Sequence, residues 1–535
     1  MVLLFLSSLG YLLVSFYHSK TNLVANFGGE YIEGSVGQPA HINPVLAISN
    51  DVDSDLSQII YNGLLKYDDK GALVPDLAES YEINDEKTVY TFHLKKNVTW
   101  HDGTPLNADD VFFTFNLIAD PTYKSPLRSN WQGVSANLID EYTIAFSTNP
   151  YVGFLNNATF GILPKHIWES IKPENFSLAE LNLEPIGSGP FKYSSFQKDS
   201  KGNILSYKLV ANPNYFAGKP YLSKLTFNFY TQEDAVLDAY NRKEIMGVSN
   251  LSSQKITAIK NQKSSLIHEL TIPRYFAVFL NQTKSLPLAD DGVREALNIA
   301  TNREELIKSV LNGAGSPVYS PILPGMIGYS ADLGKASVDL EKAKQLLEVA
   351  DWKLSDSGVR IKNDKLLEIN LVTTDWDEFM RLAETLKSQW EKIGVKVNIE
   401  SHSVSEVQQN YIRPREYEAL LFGQNVGADP DPYSFWHSTQ KKDPGLNLSL
   451  FGDDTTDKLI ENGRVEFDAG KRTQDYLDFQ NLLVKELPAI FLCSPKYIYP
   501  VNKSIQGITA ENLISPAKRF SNIAQWYIKT KRVWK

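Results

Sequence analysis

Residues 367–400 read LEINLVTTDWDEFMRLAETLKSQWEKIGVKVNIE, and the spacing of their apolar side chains changes period twice. Leu367, Ile369, Leu371 and Thr373 recur every second residue, the period of a strand. Phe379, Leu382, Ala383, Leu386, Trp390 and Ile393 then recur at i, i+3, i+4, i+7, i+11 and i+14, the period of a helix, and Gly394 ends it. Val395, Val397 and Ile399 alternate again, so the stretch is a βαβ unit. A shorter helix over Val404 to Ile412 and a strand over Tyr417 to Gly423 extend it to three parallel strands with right-handed crossovers. Open parallel sheets take ligands outside the carboxyl ends of their strands, here Thr373-Thr374-Asp375-Trp376 and Gly423-Gln424-Asn425.

Upstream, Val293, Leu297 and Ala300 share one helical face, and Thr301 with Glu304 forms a T-x-x-E box opening a helix through Ile307, Val310 and Leu311. Leu340, Ala343, Leu346, Leu347 and Ala350 mark another helix. Downstream of Leu450 the pattern is helical until Pro488, after which a return strand is expected. In the N-terminal half, Tyr81 to Trp100 reads as a hairpin turning at Asn84-Asp85-Glu86-Lys87. Asn107 caps the next helix, with Asp110 in the capping-box position. From Pro121 to Tyr240, short aromatic-rich segments between Pro, Gly and Asn predict mostly strand.

The 535 residues predict two to four domains, and a net charge of 54 − 63 = −9 argues against a nucleic-acid phosphate backbone as partner. Cys493 alone cannot form an intramolecular disulfide, and its apolar surroundings predict burial. The eight histidines include no pair at metal-ligand spacing, so neither metal nor cofactor is expected. No phosphate loop, nucleophile elbow or dinucleotide fingerprint is present. Gly187-Ser188-Gly189-Pro190 reads as a turn, because Pro190 removes a donor that phosphate cradling would use. Asp429-Pro430-Asp431-Pro432 offers two carboxylates, for which turn formation outweighs glycoside chemistry. Aromatic residues are abundant, with 26 Tyr, 26 Phe and 9 Trp; Trp376, Phe422, Tyr433, Phe435 and Trp436 lie on or near the strand ends. Such faces suit reversible binding of an organic ligand.

Met1 to Tyr17 is apolar and uncharged, and as a helix reaches about 25 Å, the short limit for a bilayer span. Signal peptide and anchor both fit. Met1 runs straight into Val2-Leu3-Leu4-Phe5 without a basic n-region, which reads as a truncated start, and no A-x-A site precedes Gly28. An uncleaved anchor outside the cytoplasmic membrane is therefore the expectation, with residues 18–28 as a linker.

Several ordered blocks carry a family resemblance. The longest runs from Leu77-Ala78-Glu79-Ser80-Tyr81-Glu82-Ile83 through Trp100-His101-Asp102-Gly103-Thr104-Pro105-Leu106-Asn107-Ala108-Asp109-Asp110-Val111. Gly187 to Phe191, Asn212 to Phe216, Val293 to Asn298 with Asn302-Arg303-Glu304, and Asp429 to Tyr433 support it. From Gly29 to the C-terminus the chain resembles the extracytoplasmic solute-binding proteins of peptide-type ABC importers (family 5, the oligopeptide-, dipeptide- and nickel-binding class). The resemblance implies an α/β, two-lobed periplasmic-binding-protein-like fold (type II, cluster C) with an inserted β-rich subdomain. By that analogy lobe I comprises residues 29–60, 181–270 and a return at 487–535, the insertion is 61–180, and lobe II is 271–486. Hinges are expected near Thr271 to Asn281 and near Leu487 to Pro495.

The function implied is capture of a peptide or similar small solute, delivered unchanged to ABC permease subunits by a monomeric, non-enzymatic protein of the periplasm or the outer face of the cytoplasmic membrane. A sensory receptor and a secreted hydrolase using Asp429 and Asp431 are the rival readings. Peptide-binding relatives hold the ligand's amino group with an aspartate where this chain has Val426 beside Asn425, unless Asp429 turns inward. Arg413 or Arg415 suits a ligand carboxylate. Gln38 and Asn43 from lobe I, Tyr275 and Asn281 near the hinge, and Trp376, Phe422 and Trp436 complete the expected contacts.

Overall fold

In the computed structural model, which describes residues 2–260, 262–335 and 337–535, Glu368–Thr374 and Lys396–His402 are parallel strands bracketing the Asp377–Glu391 helix. Ala419–Asn425 joins parallel on the other side, as the pattern predicted. The full sheet has six strands in the order Gly315–Pro317, Ala489–Pro495, Arg274–Leu280, Ala419–Asn425, Glu368–Thr374, Lys396–His402. Arg274–Leu280 runs through its middle. Phe276, Val278 and Leu280 enter one core, while Tyr275, Ala277 and Phe279 enter the core on the opposite face. Burial on both faces accounts for an unbroken apolar run where a half-exposed strand would alternate.

The other lobe is built on seven strands in the order Ser265–Leu270, Tyr497–Asn502, Gly247–Val248, Glu30–Val36, Lys224–Tyr230, Ile204–Ala211, Phe191–Lys198. The insertion carries a four-stranded antiparallel sheet that includes the expected hairpin, Ala78–Ile83 with Val89–Leu94. A single hydrophobic core runs through lobe I and the insertion, joining Tyr31, Leu56 and Phe227 to Phe92, Trp131 and Phe146. Trp131 meets Phe115, Phe146, Phe154 and Phe160 at centroid distances of 5.1–5.8 Å. The insertion therefore packs on lobe I through a shared core.

The chain crosses between lobes twice, at Thr271-Ile272-Pro273 and at Lys496. Lys496 Nζ donates to Thr271 Oγ1 at 2.9 Å, tying the crossings together. Both are shorter than expected. Ala489–Pro495 belongs to the lobe II sheet, so the return to lobe I starts at Lys496, after position 487. The apolar run Ala489 to Cys493 suits either sheet, and only its pairing with Phe276–Phe279 decides which.

Three further expectations are corrected. The supposed linker forms a strand, Thr21–Asn26, paired antiparallel with Lys529–Trp534 at the other end of the sequence. The Arg303–Val310 helix is capped by Asn302, whose side chain accepts from Glu305 N, and Thr301 is occupied elsewhere: its Oγ1 donates to Leu297 O at 2.7 Å and accepts from Trp390 Nε1 at 3.0 Å. Between Pro121 and Tyr240, the short helices Phe154–Asn157, Lys165–Trp168 and Pro173–Phe176 and the longer Glu233–Asn241 interrupt the strands. Val2–Lys20 is helical with Leu12, Leu13 and Phe16 exposed, and Met1 lies outside the described residues. Among the described residues no helix is long and apolar enough to cross a membrane.

Candidate functional site

The end of the Glu30–Val36 strand in lobe I and residues 376–379, which follow the Glu368–Thr374 strand in lobe II, approach one another beside the hinge. Between them lies a cavity of about 750 Å³, walled by lobe I (Ser35, Val36, Asp51, Glu233 and residues 249–255), by lobe II (Arg274, Phe276 and residues 376–379) and by Pro495 and Lys496 of the second crossing. Its size falls in the range of small-molecule sites, and its place at carboxyl strand ends is where open sheets take ligands.

Its polar groups are unusually free. Ser35 and Ser253 are 3% and 6% exposed, and neither hydroxyl has a hydrogen-bond partner. Arg274 Nε is also buried without a partner. Buried polar atoms are almost always paired, so three orphans lining one cavity mark groups that a ligand or water must satisfy. The Asp377–Glu391 helix starts here too, at Trp376, with no side-chain cap, whereas Asp290, Asn302, Asp339, Asp453 and Asp468 cap the other long lobe II helices. Its first N–H groups and positive dipole end therefore stand at the cavity.

Charge sharpens the picture. Burial pulls the Arg274 guanidinium below its usual range, although Glu378 and Asp51 act the other way. Burial pushes the Glu378 carboxyl up, opposed by Arg274 and helped by Glu233 and Asp377. Among the described residues neither Arg274 nor Glu378 has an opposite charge within 4.0 Å. Glu233 is different: it accepts from Ser252 Oγ at 3.1 Å and pairs with Lys255 at 3.2 Å. Asp377 pairs with Arg381 at 3.0 Å.

Of the residues singled out in the sequence, Trp376 lines this cavity and is 59% exposed. Phe422 stacks on Phe379, a cavity residue, at 6.3 Å. Asn425 is exposed and pairs in register with Arg274. The others lie apart from it. Gln38 accepts from Ile204 N at 2.9 Å. Asn43 is fully buried, bonded to Asn182 at 3.1 Å and Val45 N at 3.0 Å. Asn281 is fully buried and holds Thr283 and Arg415 O. Tyr275 donates to Gln424 within the lobe II core, and Trp436 packs there on Phe279 and Phe491. Arg413 is exposed, and Arg415 donates to Ile412 O and Gly445 O through its terminal nitrogens, while its buried Nε has no partner and lies outside this cavity's lining.

Asp429 and Asp431 are each held by an arginine, Arg472 at 2.6 Å and Arg464 at 2.9 Å. That removes the carboxylate pair of the hydrolase reading. Tyr151 of the insertion donates to Asp431 Oδ2 at 3.2 Å and lies 4.9 Å from the Arg464 guanidinium, so the lobes also touch away from the hinge. The reading of the sequence missed Arg274, Glu378, Ser35 and Ser253. Arg274 had a local signal, a lone charge opening the apolar run YFAVFL inside the expected crossing. The serines had none, since burial without a partner is a tertiary property.

Two lobes, two short crossings and a cavity of unsatisfied polar groups between them define a solute-binding protein. Residues 72–446 match the model for bacterial extracellular solute-binding proteins, family 5, and the chain belongs to that family. It is similar to the oligopeptide-binding protein AppA of Bacillus subtilis, 29% identical over 511 residues that cover 94% of this chain and 92% of AppA. The dipeptide-binding protein of Escherichia coli is 28% identical, covering 90% and 92%. Among solved structures, the ABC transporter substrate-binding protein CtaP of Listeria monocytogenes superposes with a TM-score of 0.83 at 27% identity, covering 94% of this chain and 100% of CtaP. AppA in complex with a nonapeptide gives 0.78 at 27%, covering 95% and 100%. The chain is accordingly a binding component and not an enzyme.

Proposed function

We propose that this protein captures a peptide or similar small solute in the interlobe cavity and hands it to the permease subunits of an ABC importer. The observation carrying this reading is the cavity at the hinge, with both lobes contributing to its wall and three orphaned polar atoms around it. Relatives named for oligopeptides and dipeptides favour peptide as cargo. Residues 29–60, 61–180 and 181–270, with the return after Lys496, act as one rigid half and the remainder as the other. Trp376, Phe422 and Asn425 are proposed contacts, joined by Arg274, Glu378, Ser35 and Ser253. The protein works as a monomer outside the cytoplasmic membrane, with residues 1–17 as signal or anchor; the exposed apolar side chains of the Val2–Lys20 helix support a lipid partner.

Capture is a population shift. Moving a closed form from about 1% to about 99% needs roughly 5.5 kcal/mol of differential binding, within reach of a few charged hydrogen bonds and aromatic contacts. Small-angle scattering before and after addition of cargo identified by native mass spectrometry tests it. The radius of gyration is expected to fall on binding; an unchanged radius with saturating cargo rejects hinge closure.

A further inference from the structure

The Val2–Lys20 helix runs straight into the Thr21–Asn26 strand, and Lys529–Trp534 lies antiparallel beside that strand, so the two terminal segments meet at the helix base. Hydrogen bonds fix the joint: Lys535 N donates to Lys20 O at 3.0 Å, Thr21 Oγ1 to Tyr17 O at 2.6 Å, and Arg532 Nη1 to Thr21 Oγ1 at 3.0 Å. Trp534, 66% exposed, meets Tyr17 edge-on at 5.7 Å, and the Arg532 guanidinium lies 6.0 Å from the same ring. Residues 529–535 read KTKRVWK, four cations and no acid in a chain of net charge −9. Among the described residues, none of Lys20, Lys529, Lys531, Arg532 and Lys535 has a carboxylate within 4.0 Å. The two strands pair with no others, and Leu23, Val533 and Trp534 stay exposed on them. A lone two-stranded ribbon of this kind is marginal in water.

We propose that this ribbon is a collar for an anionic phospholipid surface: with the exposed apolar side chains of the helix sunk into the bilayer, Tyr17 and Trp534 sit at headgroup level and the unpaired cations of residues 529–535 bind lipid phosphates. Aromatic rings and basic side chains are the groups that favour this boundary. A short apolar anchor holds far better when a basic patch adds a second attraction, and the strand pairing delivers that patch from a segment distant in sequence. The sign of the charge picks the partner, since a cationic patch on a chain that is acidic as a whole favours an anionic surface. This inference deepens the proposal that the N-terminal segment is an anchor and rests on it.

The test is flotation of the full chain with vesicles of phosphatidylcholine and with vesicles of an equimolar mixture of phosphatidylcholine and phosphatidylglycerol. At about 0.1 M salt the mixed vesicles are expected to bind at least about tenfold more tightly, and about 1 M salt is expected to erase the difference. The triple variant Lys529→Gln, Lys531→Gln, Lys535→Gln is expected to lose that preference while still binding neutral vesicles through the helix. Lipid brominated near the headgroup is expected to quench tryptophan fluorescence of the unaltered chain, and less so that of Trp534→Phe. Equal binding of the two vesicles by the unaltered chain, or quenching unchanged in Trp534→Phe, overturns the collar and leaves a purely apolar anchor standing; the first comparison needs no variant to fold. Binding to neither vesicle overturns collar and anchor together. Self-association in sedimentation velocity without vesicle binding assigns the face to a second copy and overturns the collar as well.

Discussion

His101 shows how a residue conspicuous in the sequence acts far from the cavity. The Gly187 N–H donates to its Nδ1 at 3.1 Å, which places the ring proton on Nε2, 3.0 Å from the Gly189 carbonyl. Burial pushes the imidazole pKa down to about 4, against the Gly189 bond. In the unfolded chain histidine titrates near 6.5. Between those values the unfolded state binds the extra proton, so stability rises with pH through this window and is lost as pH falls. Urea midpoints measured from pH 7 to pH 4 should decline, with at most about 3 kcal/mol traceable to this ring. His101→Gln should flatten that part of the profile relative to the unaltered protein; an identical slope would remove His101 as its source. The ring also explains why Gly187-Ser188-Gly189-Pro190 reads as a turn. A Cβ at Gly187 or Gly189 would collide with the carbonyls of Ile60 and Ile59, so the loop presses on backbone and leaves no room for a ligand.

At the scale of elements, local grammar was legible wherever its physics is local. The Ala108–Ala119 helix has the capping box that Asn107 and Asp110 announce. Asp110 does more than close that box: it accepts from Asn107 N at 3.1 Å, Trp100 Nε1 at 3.3 Å and Lys165 N at 2.8 Å. Asn107→Ala should cost about 1 kcal/mol, the usual value of a cap. Asp110→Ala, which leaves three donors short, should cost roughly 3 kcal/mol by the same urea measurement. Equal losses would show that Asp110 contributes only the cap. The block carrying the family resemblance is thus a brace between insertion and lobe I, and its specificity informs about fold more than about cargo. Where local grammar failed, the deciding partner was distant in sequence. Thr301 is drawn from capping by Trp390, and Thr21–Asn26 becomes a strand only because Lys529–Trp534 lies beside it. The site fared likewise. Strand-end logic reached Trp376, but Asn43 and Asn281 are polar residues satisfied inside their own lobes, and nothing in their neighbours' identities says so.

For the whole molecule, the proposed closure would draw on contacts between the lobes, and the insertion supplies such a contact remote from the cavity. Tyr151 reaches Asp431 Oδ2, its ring lies by the Arg464 guanidinium, and Val152 N donates to Arg464 O at 3.0 Å. Asp431 and Arg464 pair with each other inside lobe II, so Tyr151 is the side chain that the insertion adds to that pair. A charged hydrogen bond and a cation–π contact together are worth about 1–3 kcal/mol. Tyr151→Ala should therefore disfavour the closed form by that amount and weaken apparent ligand affinity about 5- to 150-fold, because affinity scales with the competent population. The weakening should be the same for every ligand, leaving the ratio of affinities between any two ligands unchanged, since Tyr151 does not line the hinge cavity. Calorimetric titration reads both quantities. A change in that ratio would place Tyr151 in ligand recognition, whereas unchanged affinity would mean that hinge-side contacts alone hold the lobes together.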